Sequence, residues 1–107
     1  METTELGAAV WAQLRHLLSP LNKYISSFHV RSAMDRYKVI IRFTNNYGLE
    51  VSKYPQGDFF DMTVIRFSGQ GAGDYKFAFD IPHIPDLTIA YSDKDILRLC
   101  EQVSQLR

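Results

Sequence analysis

The chain has 107 residues, and its 12 Lys and Arg residues balance its 12 Asp and Glu residues. Apolar residues make up 46% and charged residues 22%, proportions typical of a globular protein and not of a disordered tail. The zero net charge argues against a histone-like protein or an acidic DNA mimic, since each needs a large excess of one sign. A chain of this length buries enough surface for one core, so we expect a single domain over residues 1–107.

The cysteine content and the hydropathy bear on the compartment. Cys100 is the sole cysteine, which excludes an intramolecular disulfide and favours a reducing compartment. No apolar run approaches the roughly 20 residues that span a bilayer. The first residues, METTELGAAV, lack the basic start and apolar core of a signal peptide. We therefore expect a cytoplasmic protein.

A long helix is predicted over residues 3–27, with Thr3 or Thr4 as its N-cap. Apolar side chains recur at steps of three and four and form one stripe. They are Leu6, Val10, Leu14, Leu17, Leu21, Tyr24 and Phe28. Pro20 interrupts this helix, because proline lacks the backbone N–H and clashes with the preceding turn. We expect a kink or a break there, with both halves on the same core.

The middle of the chain predicts antiparallel strands joined by short turns. The predicted strands are residues 29–33, 37–44, 49–53, 59–67, 75–81 and, as a short edge, 87–91. Residues 59–67 carry apolar side chains at both odd and even positions. This indicates that both faces of the strand are partly covered, or that a β-bulge changes partway along the strand which positions face the core. In residues 75–81 we expect Tyr75, Phe77, Phe79 and Ile81 to face the core together.

A second helix is predicted from Ser92, which begins a capping box with Asp95, to about Leu106. Its apolar stripe comprises Ile96, Leu97, Cys100, Val103 and Leu106. The order of helix, strands and helix predicts a two-layer α+β domain. We expect a four- or five-stranded antiparallel sheet with the N-terminal and C-terminal helices packed on one face. A first or last strand left open could also pair with its copy in a homodimer.

Few residues indicate catalysis or a cofactor. The glycine run in SGQGAGD, residues 68–74, precedes a predicted strand rather than a helix, so it does not fit a phosphate-binding loop. The spacing of His16, His29 and His83 supports no structural zinc site. Cys100 lies on an apolar helix stripe and is expected to be buried. We predict no metal, no cofactor and no enzymatic activity.

An enzyme is the third interpretation, and it would use His83 with a neighbouring carboxylate, Asp80 or Asp86, as an acid–base pair. His83 lies in a link between Pro82 and Pro85. An inflection of activity near neutral pH would be the mark of such a pair.

Positive charge is concentrated in residues 15–42, which carry a local charge of +5. Within this segment Arg31, Arg36, Lys38 and Arg42 are candidates for contacts with nucleic acid. A basic strip beside aromatic side chains is typical of single-strand binding. The favoured alternative is that these side chains pair with the acidic half of the chain, within one molecule or across a dimer.

Fourteen aromatic residues are more than the predicted core needs. The segment from Tyr54 to Phe60 is the hardest to bury whole. Exposed aromatic side chains beside mobile loops are common anchors of protein interfaces. The candidates here are Tyr47, Tyr54, Phe59 and Phe60.

The segment IIRFTNNYGLEV resembles a group of short, mostly uncharacterised proteins of phages and prophages. The residues that match are Phe43, Asn45, Tyr47, Gly48 and Val51. The FDIPHIPD link and the YSDKDILRLCEQVSQL helix occupy the later positions, so that the resemblance covers residues 37–106. It implies an origin in a mobile element and no catalytic residue.

These observations predict a small protein-binding module without enzymatic activity, of the kind that a phage or mobile element uses to engage a host protein. The alternative is a weak binder of single-stranded nucleic acid that uses the basic residues between positions 31 and 42. Salt separates the two, because phosphate contacts weaken steeply with ionic strength.

Overall fold

The structure is a computed structural model that describes the backbone of residues 3–107 and the side chains of residues 7–107. Its two α-helices are α1, Thr3–Leu17, and α2, Asp93–Ser104, and a 3₁₀ helix spans Ser19–Tyr24. The strands are β1 Ile25–Ser32, β2 Tyr37–Phe43, β3 Tyr47–Lys53, β4 Phe60–Phe67, β5 Tyr75–Phe77 and β6 Thr88–Ala90.

All strand pairs are antiparallel, and all except β4–β6 join strands that are consecutive along the chain. Strands β1 to β4 form a continuous meander, and two short strands share the far edge of β4. Strand β5 pairs with Ile65–Phe67, whereas β6 pairs with Phe60–Met62. The sheet thus has six strands in five positions, with β1 at one edge and β5 and β6 at the other.

Both helices pack on the same face of the sheet, which confirms the predicted α+β fold. Val39 and Val51 pair across β2 and β3 and point to this face, where they contact one apolar core. The helices supply Val10, Leu14 and Leu18 from the N-terminal side and Ile96, Leu99, Cys100 and Val103 from the C-terminal side. The opposite face of the sheet carries no helix among the described residues.

The predicted break near Pro20 is confirmed, and Leu14 and Leu21 on either side of it pack in one core, but the predicted α-helix over residues 3–27 is confirmed only over Thr3–Leu17. The α-helix ends at Leu17, and Pro20 lies in the first turn of the 3₁₀ helix, where its missing N–H costs little. The chain then enters β1, so Phe28 belongs to a strand and pairs with Ile41. The sheet pairing decides this outcome, because β1 satisfies its backbone groups on β2 while keeping Phe28 on the apolar face.

Strand β4 has apolar side chains on both faces and pairs with β3 without a register shift. Met62 and Val64 face the helices. Ile65 and Phe67 face the other side, where they join Ile40 in a small second cluster. The alternative of two partly covered faces is therefore correct, and no bulge is needed in the β3–β4 ladder.

Helix α2 begins as the sequence predicts, since the Ser92 side chain accepts a hydrogen bond from the Asp95 N–H at 3.2 Å. It ends at Ser104, two residues before the predicted end. Leu99, which was not on the predicted stripe, is buried, whereas Leu97 and Leu106 are half-buried. Cys100 is fully buried as predicted.

Candidate functional site

The exposed apolar side chains are unevenly distributed over the part of the chain that the structure describes. Six large apolar side chains are exposed, and all except Met34 lie between residues 77 and 91. This group, which we term the aromatic edge, comprises Phe77, Phe79, Leu87, Ile89 and Tyr91. Its residues lie in β5, in β6, in the link between them and directly after β6, at the edge of the sheet where both short strands pair with β4.

The predicted strand over residues 75–81 is confirmed only over Tyr75–Phe77, and the difference creates this surface. Ala78 turns inward after the strand ends, and its N–H donates to the Val64 carbonyl at 2.9 Å. Of the residues predicted to face the core, Ile81 is half-buried against it. Phe77 and Phe79 point away from the core and are 50% and 59% exposed. Their rings stack with centroids 5.7 Å apart and planes at 19°. The predicted inward aromatic row thus becomes an outward one.

A charged group flanks the two phenylalanines. Arg66 donates to the Tyr47 hydroxyl at 3.0 Å and to the Asp80 carboxylate at 3.4 Å. The bond to Tyr47 and the charge of Asp80 raise the pKa of Arg66 above its ordinary value. An open groove of about 580 Å³ runs between Arg66, Asp80 and the two phenylalanine rings. The site thus combines an apolar platform with a polar border.

The four aromatic residues predicted for an interface have different surroundings. Phe60 is only 6% exposed and packs in the core, so it offers no surface to a partner. Tyr47 is half-buried against the core and engaged with Arg66. Tyr54 and Phe59 are half-buried and lie together with ring centroids 6.3 Å apart.

Phe59 links the predicted set to the aromatic edge, because its ring centroid lies 6.0 Å from that of the exposed Tyr91. The prediction missed Phe77, Phe79 and Tyr91. Pro82 and Pro85 were the available signal, because proline restricts pairing in a sheet and shortens the strand that precedes it.

Three of the four basic residues that were predicted to contact nucleic acid, Arg31, Lys38 and Arg42, lie on one face of the sheet. Arg31 pairs with Lys38 in the β1–β2 ladder, and Arg42 pairs with Ser27 four residues away on each strand. All three occupy strand positions whose side chains point to the sheet face opposite the helices. Arg36 lies apart, in the turn between β1 and β2.

Most of these charges have partners within the chain. Lys38 lies 3.3 Å from the carboxylate of Glu50, which also accepts a hydrogen bond from the Tyr75 hydroxyl at 2.7 Å. Burial of the phenol and its hydrogen bond to Glu50 raise the pKa of Tyr75 to about 12. This outward-facing network was not predicted, because it joins β2, β3 and β5 across the sheet.

Arg42 and Arg36 are also engaged. The guanidinium of Arg42 lies 4.5 Å from the centre of the Phe67 ring and donates to the Gly69 carbonyl at 2.8 Å. Arg36 donates to the Tyr54 hydroxyl at 2.7 Å and lies 3.6 Å from its neighbour Asp35. Among the described side chains, neither Arg31 nor Arg42 has a carboxylate within ion-pair distance. Lys38 is thus the one of the four that pairs with the acidic half of the chain, as the favoured sequence interpretation expects, whereas the ion pair of Arg36 is with its neighbour Asp35.

The remaining candidates are dispersed. His83 lies in the exposed link with a positive φ of 67°, while Asp80 is engaged with Arg66. Burial raises the pKa of the Cys100 thiol to about 12, which opposes formation of a nucleophilic thiolate. Among the side chains that the structure describes, those of residues 7–107, no three His, Cys, Asp or Glu residues form a group that could hold a metal ion.

Comparison with protein-family models, curated proteins and solved structures finds no match to this chain. Over the described residues, neither α-helix is both long and apolar enough to cross a membrane.

Proposed function

We propose that the chain is a small non-enzymatic protein-binding module whose contact surface is the aromatic edge. The single observation that supports this most strongly is the confinement of five exposed large apolar side chains to residues 77–91. Single exposed apolar residues are common on protein surfaces, whereas exposed apolar side chains grouped beside polar ones, as Phe77 and Phe79 are beside Arg66 and Asp80, mark an interaction site.

The energetics favour a partner at this surface. Full burial of a phenylalanine or leucine side chain is worth about 1.5–3 kcal/mol, and this gain is incomplete for Phe77 and Phe79 in the isolated chain. The two rings also hold each other in a stacked arrangement, so little side-chain freedom is lost when a partner covers them. Arg66 and Asp80 lie at the border, as polar residues do around interface cores.

The role of an accessory protein encoded by a phage or mobile element, acting on a host protein, belongs to this proposal and rests on the sequence resemblance. Cys100 supports a reducing compartment such as the cytoplasm. A homodimer through the edge strand β1 is a further proposal, which sedimentation of the purified protein tests directly.

The test is an affinity capture from nuclease-treated host lysate with three tagged proteins: the wild type, the double variant F77S/F79S, and M34S. Met34 is exposed and lies in the β1–β2 turn, away from the aromatic edge, so M34S controls for the loss of an exposed apolar side chain. We expect one protein to be retained near stoichiometrically at low and high salt by the wild type and M34S. F77S/F79S should lose it while remaining folded by circular dichroism.

Equal capture by F77S/F79S would show that the aromatic edge is not the contact surface. Failure of the wild type to retain any protein at either salt concentration would contradict the binding-module proposal itself.

A second candidate function is weak binding of single-stranded nucleic acid on the face opposite the helices. The shared orientation of Arg31, Lys38 and Arg42 supports it. The pairing of Lys38 with Glu50 and the engagement of Arg42 weigh against it, because a phosphate would have to displace these partners. This candidate predicts that affinity for a labelled oligonucleotide falls steeply with salt and is reduced in R31Q.

A further inference from the structure

A cavity of about 240 Å³ lies on the sheet face opposite the helices, beneath the glycine loop of residues 68–74. Its walls are two rungs of the β1–β2 ladder, Ser27 with Arg42 and His29 with Ile40. The loop covers it with Gln70, Gly71 and Ala72, and Phe28 and Phe67 complete the lining. We term this space the glycine-loop cavity.

The loop is held in place by its own contacts. The Gly71 N–H donates to the Asp74 carboxylate at 2.9 Å, and the Ser68 N–H donates to the Asp74 carbonyl at 2.8 Å. Arg42 fastens the loop to β2 through its bond to the Gly69 carbonyl. The cover is therefore formed before any ligand enters, which lowers the entropy cost of binding.

The charge of the lining has one sign. Arg42 carries a permanent positive charge, and none of the lining residues is acidic. The Asp74 carboxylate is occupied by the Gly71 N–H and is not part of the lining. A guanidinium has five N–H donors, of which Arg42 uses one on Gly69 and one on the Asn46 side chain. The others remain for an anionic ligand.

Two of the lining residues, Ile40 and Phe67, form a buried apolar part of the wall. Ile40 is 2% exposed and Phe67 is 7% exposed, and the Arg42 guanidinium lies over the Phe67 ring. A fully hydrated inorganic anion would leave this apolar surface unused. The volume is below the roughly 300–1,000 Å³ of sites for drug-sized molecules. The lining therefore fits a small molecule with one anionic group and a compact apolar body.

We propose that the glycine-loop cavity binds small monocarboxylic acids, with the carboxylate on the free N–H groups of Arg42 and the apolar body against Ile40 and Phe67. Arginine suits this role because its planar donors match the two oxygens of a carboxylate. The site shares Phe67 with the groove beside the aromatic edge but does not depend on the function proposed for that surface.

The probe for a test is benzoate, followed by amide chemical shifts of the isotope-labelled protein. We expect saturable shifts of Ser27, His29, Gly71 and Ala72, with a Kd of about 1 mM or tighter. Benzyl alcohol, which lacks the charge, and inorganic phosphate, which lacks the apolar body, should each bind at least about tenfold more weakly.

Two variants separate loss of the site from loss of structure. R42Q removes the charge and should weaken benzoate binding by about tenfold or more. A72L keeps Arg42 and fills the cavity from the exposed loop, so it should abolish binding in a folded protein. R66Q, which changes an arginine outside the cavity, should bind as the wild type does, and so should F77S/F79S.

Absence of saturable shifts with benzoate would overturn the proposal. So would undiminished binding in A72L, or phosphate binding equal to that of benzoate, which would indicate a site for free anions.

Discussion

Asn45 holds the end of helix α2 against the β2–β3 turn, because its Nδ2 donates a hydrogen bond to the Val103 carbonyl at 2.9 Å. The same nitrogen donates to the Leu106 carbonyl, also at 2.9 Å. The side-chain oxygen accepts from the Tyr47 N–H at 3.1 Å and shapes the turn. One amide thus satisfies carbonyls at a helix end, which otherwise lack intrahelical partners, and joins the helix layer to the sheet.

Substitution N45D should therefore destabilise the fold. The carboxylate cannot donate, and it places negative charge against two carbonyl oxygens, so we expect a loss of about 2–3 kcal/mol in the free energy of unfolding. Chemical denaturation followed by circular dichroism measures it. N46D makes the same charge change next to it, where the side chain accepts from Arg42, and should leave stability unchanged or slightly higher. A loss in N46D equal to that in N45D would show that charge alone matters.

Tyr75 should titrate apart from ordinary tyrosines, because burial and the bond to Glu50 raise its pKa to about 12. Ultraviolet absorption of the phenolate should show one of the six tyrosines ionising near that pH. Y75F should remove this step, and E50Q should lower its midpoint.

The same shift makes stability depend on pH. A pKa that is higher in the folded than in the unfolded state stabilises the fold below the unfolded value and loses this effect as pH rises through the folded value. The free energy of unfolding should accordingly fall between about pH 10 and about pH 12. Y75F should show a smaller fall. An identical pH dependence in the wild type and Y75F would contradict the assignment.

Cys100 should be inert toward thiol reagents in the native protein. Its side chain is fully buried and its thiol pKa is raised to about 12, so almost no thiolate is present or accessible near pH 8. We expect the reaction with a chromogenic disulfide to proceed only as fast as the protein opens, and to be complete at once in denaturant. Rapid labelling of the folded protein would show that α2 does not cover this residue.

Gly48 and Gly73 should respond differently to alanine. At Gly48, an added Cβ would lie 2.1 Å from the Ile41 carbonyl oxygen and 2.9 Å from the Phe67 ring. We expect G48A to lose about 1–3 kcal/mol, as overpacked sites do.

Gly73 is the matched control, since a Cβ there would meet nothing within 4 Å and the backbone φ is not positive. G73A should be neutral or more stable by up to about 1 kcal/mol, because alanine restricts the unfolded chain. Thermal denaturation of the two variants, compared with the wild type, gives the result. Equal melting temperatures for both would show that β2 and β3 can separate locally.

Much of the fold could be predicted from local patterns. The alternation in residues 37–43 identified β2, because a strand that buries one face repeats its apolar residues every second position. Ser92 identified the start of α2, because capping is local in sequence. Local patterns could not separate the end of α1 from β1: the apolar spacing of Tyr24 and Phe28 fits a helix, and only pairing with β2 overrides it.

The candidate surfaces also depend partly on local sequence patterns and partly on tertiary pairing. The sequence alone places Lys38 and Arg42 on one face of the predicted strand, since alternate positions point the same way, and the register of the β1–β2 pairing adds Arg31 to that face. The sequence could not determine that Glu50 and Gly69 engage two of them, nor that Phe77 and Phe79 would be exposed. The tertiary structure decided those points, because β6 occupies Phe60–Met62 on the same edge of β4 and β5 pairs with Ile65–Phe67 alone. Phe77 pairs with Ile65 on the sheet face that carries no helix among the described residues, and Phe79 lies beyond the end of β5, so no second layer covers either ring, whatever its hydrophobicity.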